Sequence, residues 1–330
     1  MKNIGKIIFV IMGSVVGAGF ISGQEIYTFF VQYGYSGFIG VFIMSVLMGA
    51  VLNASCQIIW ENHVKEYKMF LESIFPYQWK YTKKGMEKLV YFFLFITFLV
   101  MCSALAVFLW EQYQIKKWLG GLVTGIVCFY IFQKNIKIIT KINEIVMPAI
   151  LVMLTFLIPK TMISVLPEGN MVAAIGNSIL YVSYNSIFVI PILVKMEPFF
   201  ESKKQIRMAT SICSLLMMGM ASLVFFFIIP QTNTSHVELP LWKGVQQLGR
   251  IEQIGYQIAL VMAIGTSIIL SGYGFLGSFK KKNFLYIGVT LLVCSSIPFF
   301  CYFSFSGMIQ VLYPIFGFLG LLQMFFILKY

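Results

Sequence analysis

The sequence contains no aspartate. All twelve acidic residues are glutamate, and charged side chains make up 11% of the 330 residues, where a soluble domain carries about 25%. A catalytic aspartate is excluded. Histidine occurs only as His63 and His236, in different loops, which argues against a histidine-based metal site. The six cysteines (Cys56, Cys102, Cys128, Cys213, Cys294 and Cys301) all fall in apolar stretches, without CxxC or CxxH spacing. They read as small packing residues rather than disulfides or metal ligands. No P-loop, HExxH or Gly-x-Ser-x-Gly motif is present, so direct ATP drive and an enzymatic role are not expected.

What the chain has is apolar length. Hydrophobic residues are 59% of it, in runs of about 18 or more that recur to the end, as in a polytopic helical membrane protein. The alternating pattern of a membrane β-barrel is missing. Ten spans are expected, at about 4–33, 38–60, 89–110, 118–132, 138–158, 171–194, 206–229, 254–279, 284–303 and 308–328. They leave no room for a separate soluble domain, so 1–330 is expected to be one transmembrane domain. Lys2 and Lys6 before an apolar run, with Gly17-Ala18-Gly19 after it, mimic a signal peptide and its cleavage site. Apolar residues resume at Phe20 and continue to Phe30, so the segment reads as one interrupted span. In the 61–88 loop, residues 70–75 suggest an interfacial helix.

The net charge of +12 would suggest nucleic acid in a soluble protein. Here the charges lie in loops and report topology. With the N-terminus in the cytoplasm, nineteen Lys and Arg fall on the cytoplasmic side and five (Lys116, Lys117, Lys160, Lys243 and Arg250) outside. That bias predicts a multi-pass protein of a bacterial-type cytoplasmic membrane with both termini cytoplasmic. The expected partners are the lipid bilayer and a small-molecule solute, not nucleic acid.

The first span holds an anomaly. Gly13, Gly17, Gly19 and Gly23 occur in eleven positions, and Glu25 follows. Glycine weakens a helix by about 1 kcal/mol per residue, and a carboxylate in hydrocarbon costs about 2.5 kcal/mol or more. Backbone interrupted at membrane depth survives only where it lines a cavity, and such breaks hold solute and coupling ion in secondary transporters. The alternative is a GxxxG helix contact through Gly13 and Gly17.

Span six carries a second polar stretch, Tyr181-Val182-Ser183-Tyr184-Asn185-Ser186, with Pro191 beyond it. Five hydroxyl or amide side chains in six positions are costly against lipid. They read either as interhelical hydrogen-bonding glue or as a second break. Span six opens the second five spans as span one opens the first. Two interrupted helices at corresponding places predict a 5+5 inverted repeat, about 4–160 and 171–328, with the solute site at its centre.

Gly17-Ala18-Gly19-Phe20-Ile21-Ser22-Gly23-Gln24-Glu25, followed by Phe29-Phe30, resembles the start of the YkvI-type amino-acid permeases. These belong to the amino acid–polyamine–organocation superfamily, which has the leucine-transporter fold. The resemblance implies an all-α membrane fold of ten helices with helices 1 and 6 broken. It also implies a Na⁺ site between the helix-1 break and helix 8, where Ala263-Ile264-Gly265-Thr266-Ser267 matches the pattern. Carbonyls of Gly13, Val16 and Ala263 and hydroxyls of Thr266 and Ser267 would hold the ion. Alternatively, the two hydroxyls bond their own helix. A second Na⁺ site found in some relatives needs Asn where this chain has Phe20. Proton-coupled members place a helix-5 lysine instead, for which Lys141 is the candidate. It also reads as a cytoplasmic anchor that snorkels.

The expected function is symport of an amino acid or similar small zwitterion by alternating access, coupled to Na⁺ rather than H⁺, with no organic cofactor. The alternative is an amino-acid-sensing receptor subunit of the spore germinant-receptor type. The solute would be lined by Gly17, Ala18, Gly19 and Phe20 at the first break and by Tyr181, Ser183, Tyr184 and Asn185 at the second. Their backbone N–H groups would bind its carboxylate. Glu25, about 9 Å along a continuous helix from the break at 1.5 Å per residue, would gate, carry a proton, meet an amine or stay structural. Glu144 would serve similarly or pair with Lys141. The Phe92, Phe93, Phe95 and Phe98 face of span three reads as packing. Trp60, Trp110 and Trp118 read as interfacial belt residues.

Overall fold

The computed structural model describes residues 3–133, 168–229, 238–276 and 284–330, with 146, 148–150, 152, 153 and 279. Those residues form an all-helical bundle. Six of its segments are long and apolar enough to cross a membrane, with three shorter apolar helices beside them. Span one is α1 (Ile4–Val15), α2 (Ala18–Ile21) and α3 (Gln24–Phe29). Span two is α4 (Gly34–Glu61), followed by the connecting helix α5 (Tyr67–Ile74). Spans three and four are α6 (Lys80–Tyr113) and α7 (Lys117–Phe132). Span five lies almost wholly outside the described residues. Span six is α8 (Met171–Val194) and span seven α9 (Lys203–Ile228). The short α10 (Pro240–Val245) precedes α11 (Arg250–Leu276), α12 (Phe284–Phe300) and α13 (Phe305–Lys329), which are spans eight to ten.

Span one is interrupted twice. After Val15 the chain leaves the helix, with Val16 at ψ 73° and Gly17 extended. It leaves again at Ser22-Gly23, where Gly23 has φ +82°. Only glycine adopts that conformation without strain. A Cβ at Gly23 would also collide with Ile228 and lie 3.1 Å from the Leu241 backbone nitrogen.

Span six is not broken, which corrects the expectation. α8 runs without interruption from Met171 to Val194. Its polar side chains are satisfied within the helix and across it. Asn185 Nδ2 donates to the Tyr181 carbonyl at 3.0 Å, Ser186 to Ser183 at 2.7 Å and Ser183 to Gly317 at 2.6 Å. Such bonds remove the cost of polar groups at membrane depth without opening the backbone. Pro191 is accommodated near the end of α8.

α8 is the spine of the bundle, packed chiefly along α4 and α13. Small residues permit the close approach. Ser178 donates to the Gly40 carbonyl at 2.9 Å, and Gly320 faces Ser183 and Ile187. Elsewhere α4 packs on α9, α6 on α11 and α7 on α12. These are spans two with seven, three with eight, and four with nine.

Side-chain caps set where several helices begin. Asn170 accepts from Ala173 N and Ser304 from Gly307 N. Ser202 accepts from Gln205 N, while the Gln205 side chain accepts from Glu201 N, a variant of the capping box. Both termini lie at one end of the bundle. There Asn3 donates to Glu201, Asn62 to Tyr330, and Lys203 pairs with Glu61. The expected interfacial helix is α5, which buries Phe70, Leu71 and Ile74 and donates from Tyr67 to Gln323 at 2.7 Å.

Gly23→Ala is expected to destabilise the fold by about 1–2 kcal/mol from the left-handed backbone alone, plus the collision with Ile228 and Leu241. A melting curve of the purified variant checks this. An unchanged melting temperature would mean the second interruption is not needed.

Candidate functional site

The second interruption brings the Glu25 side chain back against Gly19. Glu25 does not stand a helix-length above the break, as a continuous helix would have it. Its Oε1 rests on Gly19, where any Cβ would collide with it. The glycine therefore makes room for the carboxylate. Glu25 is 4% exposed. Tyr184 donates to its Oε2 at 2.6 Å, and Tyr181 approaches the same oxygen at 3.4 Å. The polar residues of α8 and the acid of α3 form one cluster, with Phe29 stacked 5.4 Å from Tyr184.

This cluster borders a small cavity with about 30 Å³ of room for water centres, enough for one or two water molecules. Five spans wall it. α1 and its break supply Ser14, Val15 and Gly17, and α3 supplies Glu25. α6 supplies Phe93, Thr97 and Met101, and α8 supplies Tyr184, Asn185 and Phe188. Ser267 of α11 and Tyr313 of α13 complete it. Phe93 is the hub of the aromatic wall, with ring centroids 6.4 Å from Phe188, 6.4 Å from Tyr313 and 6.5 Å from Tyr184.

The structure thus gathers Gly17, Glu25, Tyr184, Asn185 and Ser267 from the sequence expectations around one space. Gly19 and Tyr181 hold Glu25 from behind. Ala18 and Phe20 are fully buried beside the cavity lining rather than in it, and Ser183 is turned to Gly317. Lys141 and Glu144 lie outside the described residues. Of the Phe-rich face, Phe95 and Phe98 pack on Phe275 and Phe132 as expected, while Phe93 faces the cavity. Phe93, Thr97, Met101, Phe188, Tyr313 and Ser14 were not anticipated. Thr97 did carry a signal, being a hydroxyl inside an otherwise apolar run.

Of the expected cation site, Ser267 meets the first break. Ala18 N donates to Ser267 Oγ at 3.1 Å across the first break, and a Cβ on Gly17 would lie 2.9 Å from that oxygen. Thr266 Oγ1 donates to the Ala263 carbonyl at 3.0 Å, which leaves its lone pairs free. At the break the Val16 N–H turns to Met12 O and the Gly17 N–H to Val15 O. Among the described residues no N–H then donates to the carbonyls of Gly13 or Val16. These neutral oxygens have the chemistry a hard cation requires.

One end of span one is capped. Tyr256 donates to Ile21 O at 2.8 Å, Leu241 N donates to Ser22 O at 2.9 Å, and Trp242 stacks on Tyr256 at 5.7 Å. α10 therefore sits on the second interruption.

No protein-family model matches the chain. It is similar to the uncharacterized membrane protein YkvI of Bacillus subtilis (strain 168), 23% identical over 96% of this chain and 92% of that one. It is also similar to the uncharacterized protein YyaD of the same strain, 26% identical over 98% and 96%. Among solved structures it resembles a Na⁺-coupled sialic acid symporter in a substrate-bound outward-open state. That likeness has a TM-score of 0.57 at 12% identity and covers 96% of this chain and 78% of that one. It also resembles Mhp1, a nucleobase-cation-symport-1 family transporter, in a closed conformation. Here the TM-score is 0.52 at 14% identity, with 97% and 71% covered. The chain is a multi-pass membrane protein with the leucine-transporter-like fold of these carriers.

Replacing one phenol at a time tests the cluster. Tyr184→Phe removes the shorter bond to Glu25 and is expected to cost about 1–2 kcal/mol, near the upper end for a bond between membrane helices. Tyr181→Phe is expected to cost clearly less. Equal melting temperatures for the two variants would contradict the geometry.

Proposed function

We propose that this protein is a secondary active transporter that carries a small organic solute by alternating access, coupled to a cation. The observation that carries the reading is the cavity at the first interruption of span one, walled by spans one, three, six, eight and ten. A site shared by many helices is open to both sides in turn when one group of helices rocks against another. The pairing of spans two with seven, three with eight and four with nine is what a 5+5 inverted repeat across a single domain requires, and it supports that organisation. The excess of lysine and arginine on the loops beside the two termini supports a cytoplasmic location for both, in a bacterial-type cytoplasmic membrane.

Na⁺ is the preferred coupling ion, held by Gly13 O, Val16 O, Ala263 O, Thr266 Oγ1 and Ser267 Oγ. Those groups lie on span one and span eight, which touch at Ser267, so an ion between them favours the arrangement in which the two touch. A ligand shifts such an equilibrium only by its difference in affinity between the two states. The amino-acid expectation loses part of its support, because the unbroken α8 offers no helix N-terminus to a carboxylate. An amino-acid-sensing receptor would bind solute in the same cavity without moving it.

The test is uptake into liposomes holding the purified protein, with solutes first chosen by thermal stabilisation. Uptake is expected to follow an inward Na⁺ gradient. Thr266→Val and Ser267→Ala are expected to weaken the Na⁺ response at least about tenfold, or about 1.4 kcal/mol. Solute binding without uptake under either a Na⁺ or a proton gradient would replace the transporter with the receptor.

A further inference from the structure

Glu25 is a buried carboxyl group with no counter-charge among the described residues. Among the described residues it forms no ion pair with Lys, Arg or His. Its hydrogen bonds are the two phenol donors on Oε2, and nothing among the described residues donates to Oε1. An unpaired carboxylate so enclosed is costly by several kcal/mol, of order the effective penalty for any buried ion. A structural role does not require it, since glutamine would accept the same phenol bonds.

The rest of the cavity is complementary to a cation. None of its lining residues is basic. Thr97 Oγ1 is buried in its wall with no hydrogen-bond partner among the described residues. The Asn185 amide spends its nitrogen on the Tyr181 carbonyl, which leaves its oxygen as an acceptor. Phe93, Tyr184 and Tyr313 present rings around the same space, and aromatic faces attract ammonium groups. An ammonium has three N–H donors and no acceptor. The Glu25 carboxylate, the Thr97 hydroxyl and the Asn185 carbonyl are three acceptors lining one cavity.

We infer that the cavity recognises a small organic cation of about methylammonium size, a primary amine whose ammonium pairs with Glu25 and whose alkyl group lies against Phe93 and Tyr313. This deepens the transporter reading and rests on it for the location of the solute. It differs from a zwitterion site in having no cationic side chain in its lining to receive a carboxylate.

The experiment uses the full-length purified protein. Melting is followed with methylammonium, ethylammonium and ethanolamine, against neutral acetamide, acetate, glycine, and NaCl replaced by N-methylglucamine chloride. The expected result is stabilisation by the amines and not by acetate or acetamide, lost in Glu25→Gln. Calorimetric titration of the best amine should show at least about tenfold weaker binding to that variant. If Glu25→Gln does not fold, Phe93→Leu and Thr97→Val serve, each expected to weaken amine binding about three- to tenfold while leaving Na⁺ stabilisation unchanged. Amine binding unchanged by these variants overturns the proposal. So does stabilisation by acetate or glycine with none by the amines, or by none of the organic probes at tens of millimolar. Uptake of a neutral or acidic solute retained by Glu25→Gln would overturn the amine site and leave the transporter standing. Amine binding without uptake would do the reverse.

Discussion

Inside hydrocarbon every polar group has to find its partner within the protein, and the carboxylate of Glu25 is the most demanding such group here. Much of the centre of the bundle follows from its accommodation. Gly19 lacks a side chain because the carboxylate rests on it. Span one turns twice so that the acid returns to the level of the first break. α8 stays helical because its hydroxyls and amide have the acid, the Gly317 carbonyl and their own backbone to bond. α8 is in turn fixed by α4 and α13, whose glycines let it come close. A single buried carboxyl group thereby couples spans one and six.

The first interruption solves a different problem. Breaking a helix frees carbonyls and N–H groups, and here one N–H is satisfied by Ser267 of span eight. The contact between spans one and eight is therefore polar and short, unlike the apolar packing of spans three and eight around it. Polar contacts of this kind break and re-form in discrete steps, whereas close-packed apolar faces resist sliding. The second interruption lies under α10, where Leu241, Trp242 and Tyr256 hold it. The two ends of the short α2 are thus tied to different parts of the molecule. In the proposed carrier, movement between them would open one side while closing the other.

The chemistry of the cavity also narrows what belongs in it. It has one acid, several neutral acceptors and three to four aromatic rings, and no base. A carboxylate solute would meet Glu25 with like charge and nothing opposite to offset it. The sialic acid symporter and Mhp1 share the fold and carry different cargo. Fold likeness sets where a solute sits, and the side chains at that place set which solute it is.

The sequence by itself determined the membrane class, the positions of the apolar helices among the described residues and the first interruption. These depend on apolar run length, loop charge and glycine spacing, which are properties of contiguous residues. It also marked Glu25, Tyr184, Asn185 and Ser267, because polar groups inside apolar runs need a reason to be there. Whether Tyr181 to Ser186 break a helix or bond across one was not legible, since both arrangements satisfy the same side chains and differ only in what lies opposite. Phe93 and Tyr313 were indistinguishable from packing aromatics for the same reason. Only the tertiary structure decided that Glu25 bends back to Gly19, that two phenols from α8 receive it, and that Thr97 is left without a partner among the described residues. The two phenols lie 156 and 159 positions from Glu25 in the chain and are brought within ångströms of it by the packing of separate helices.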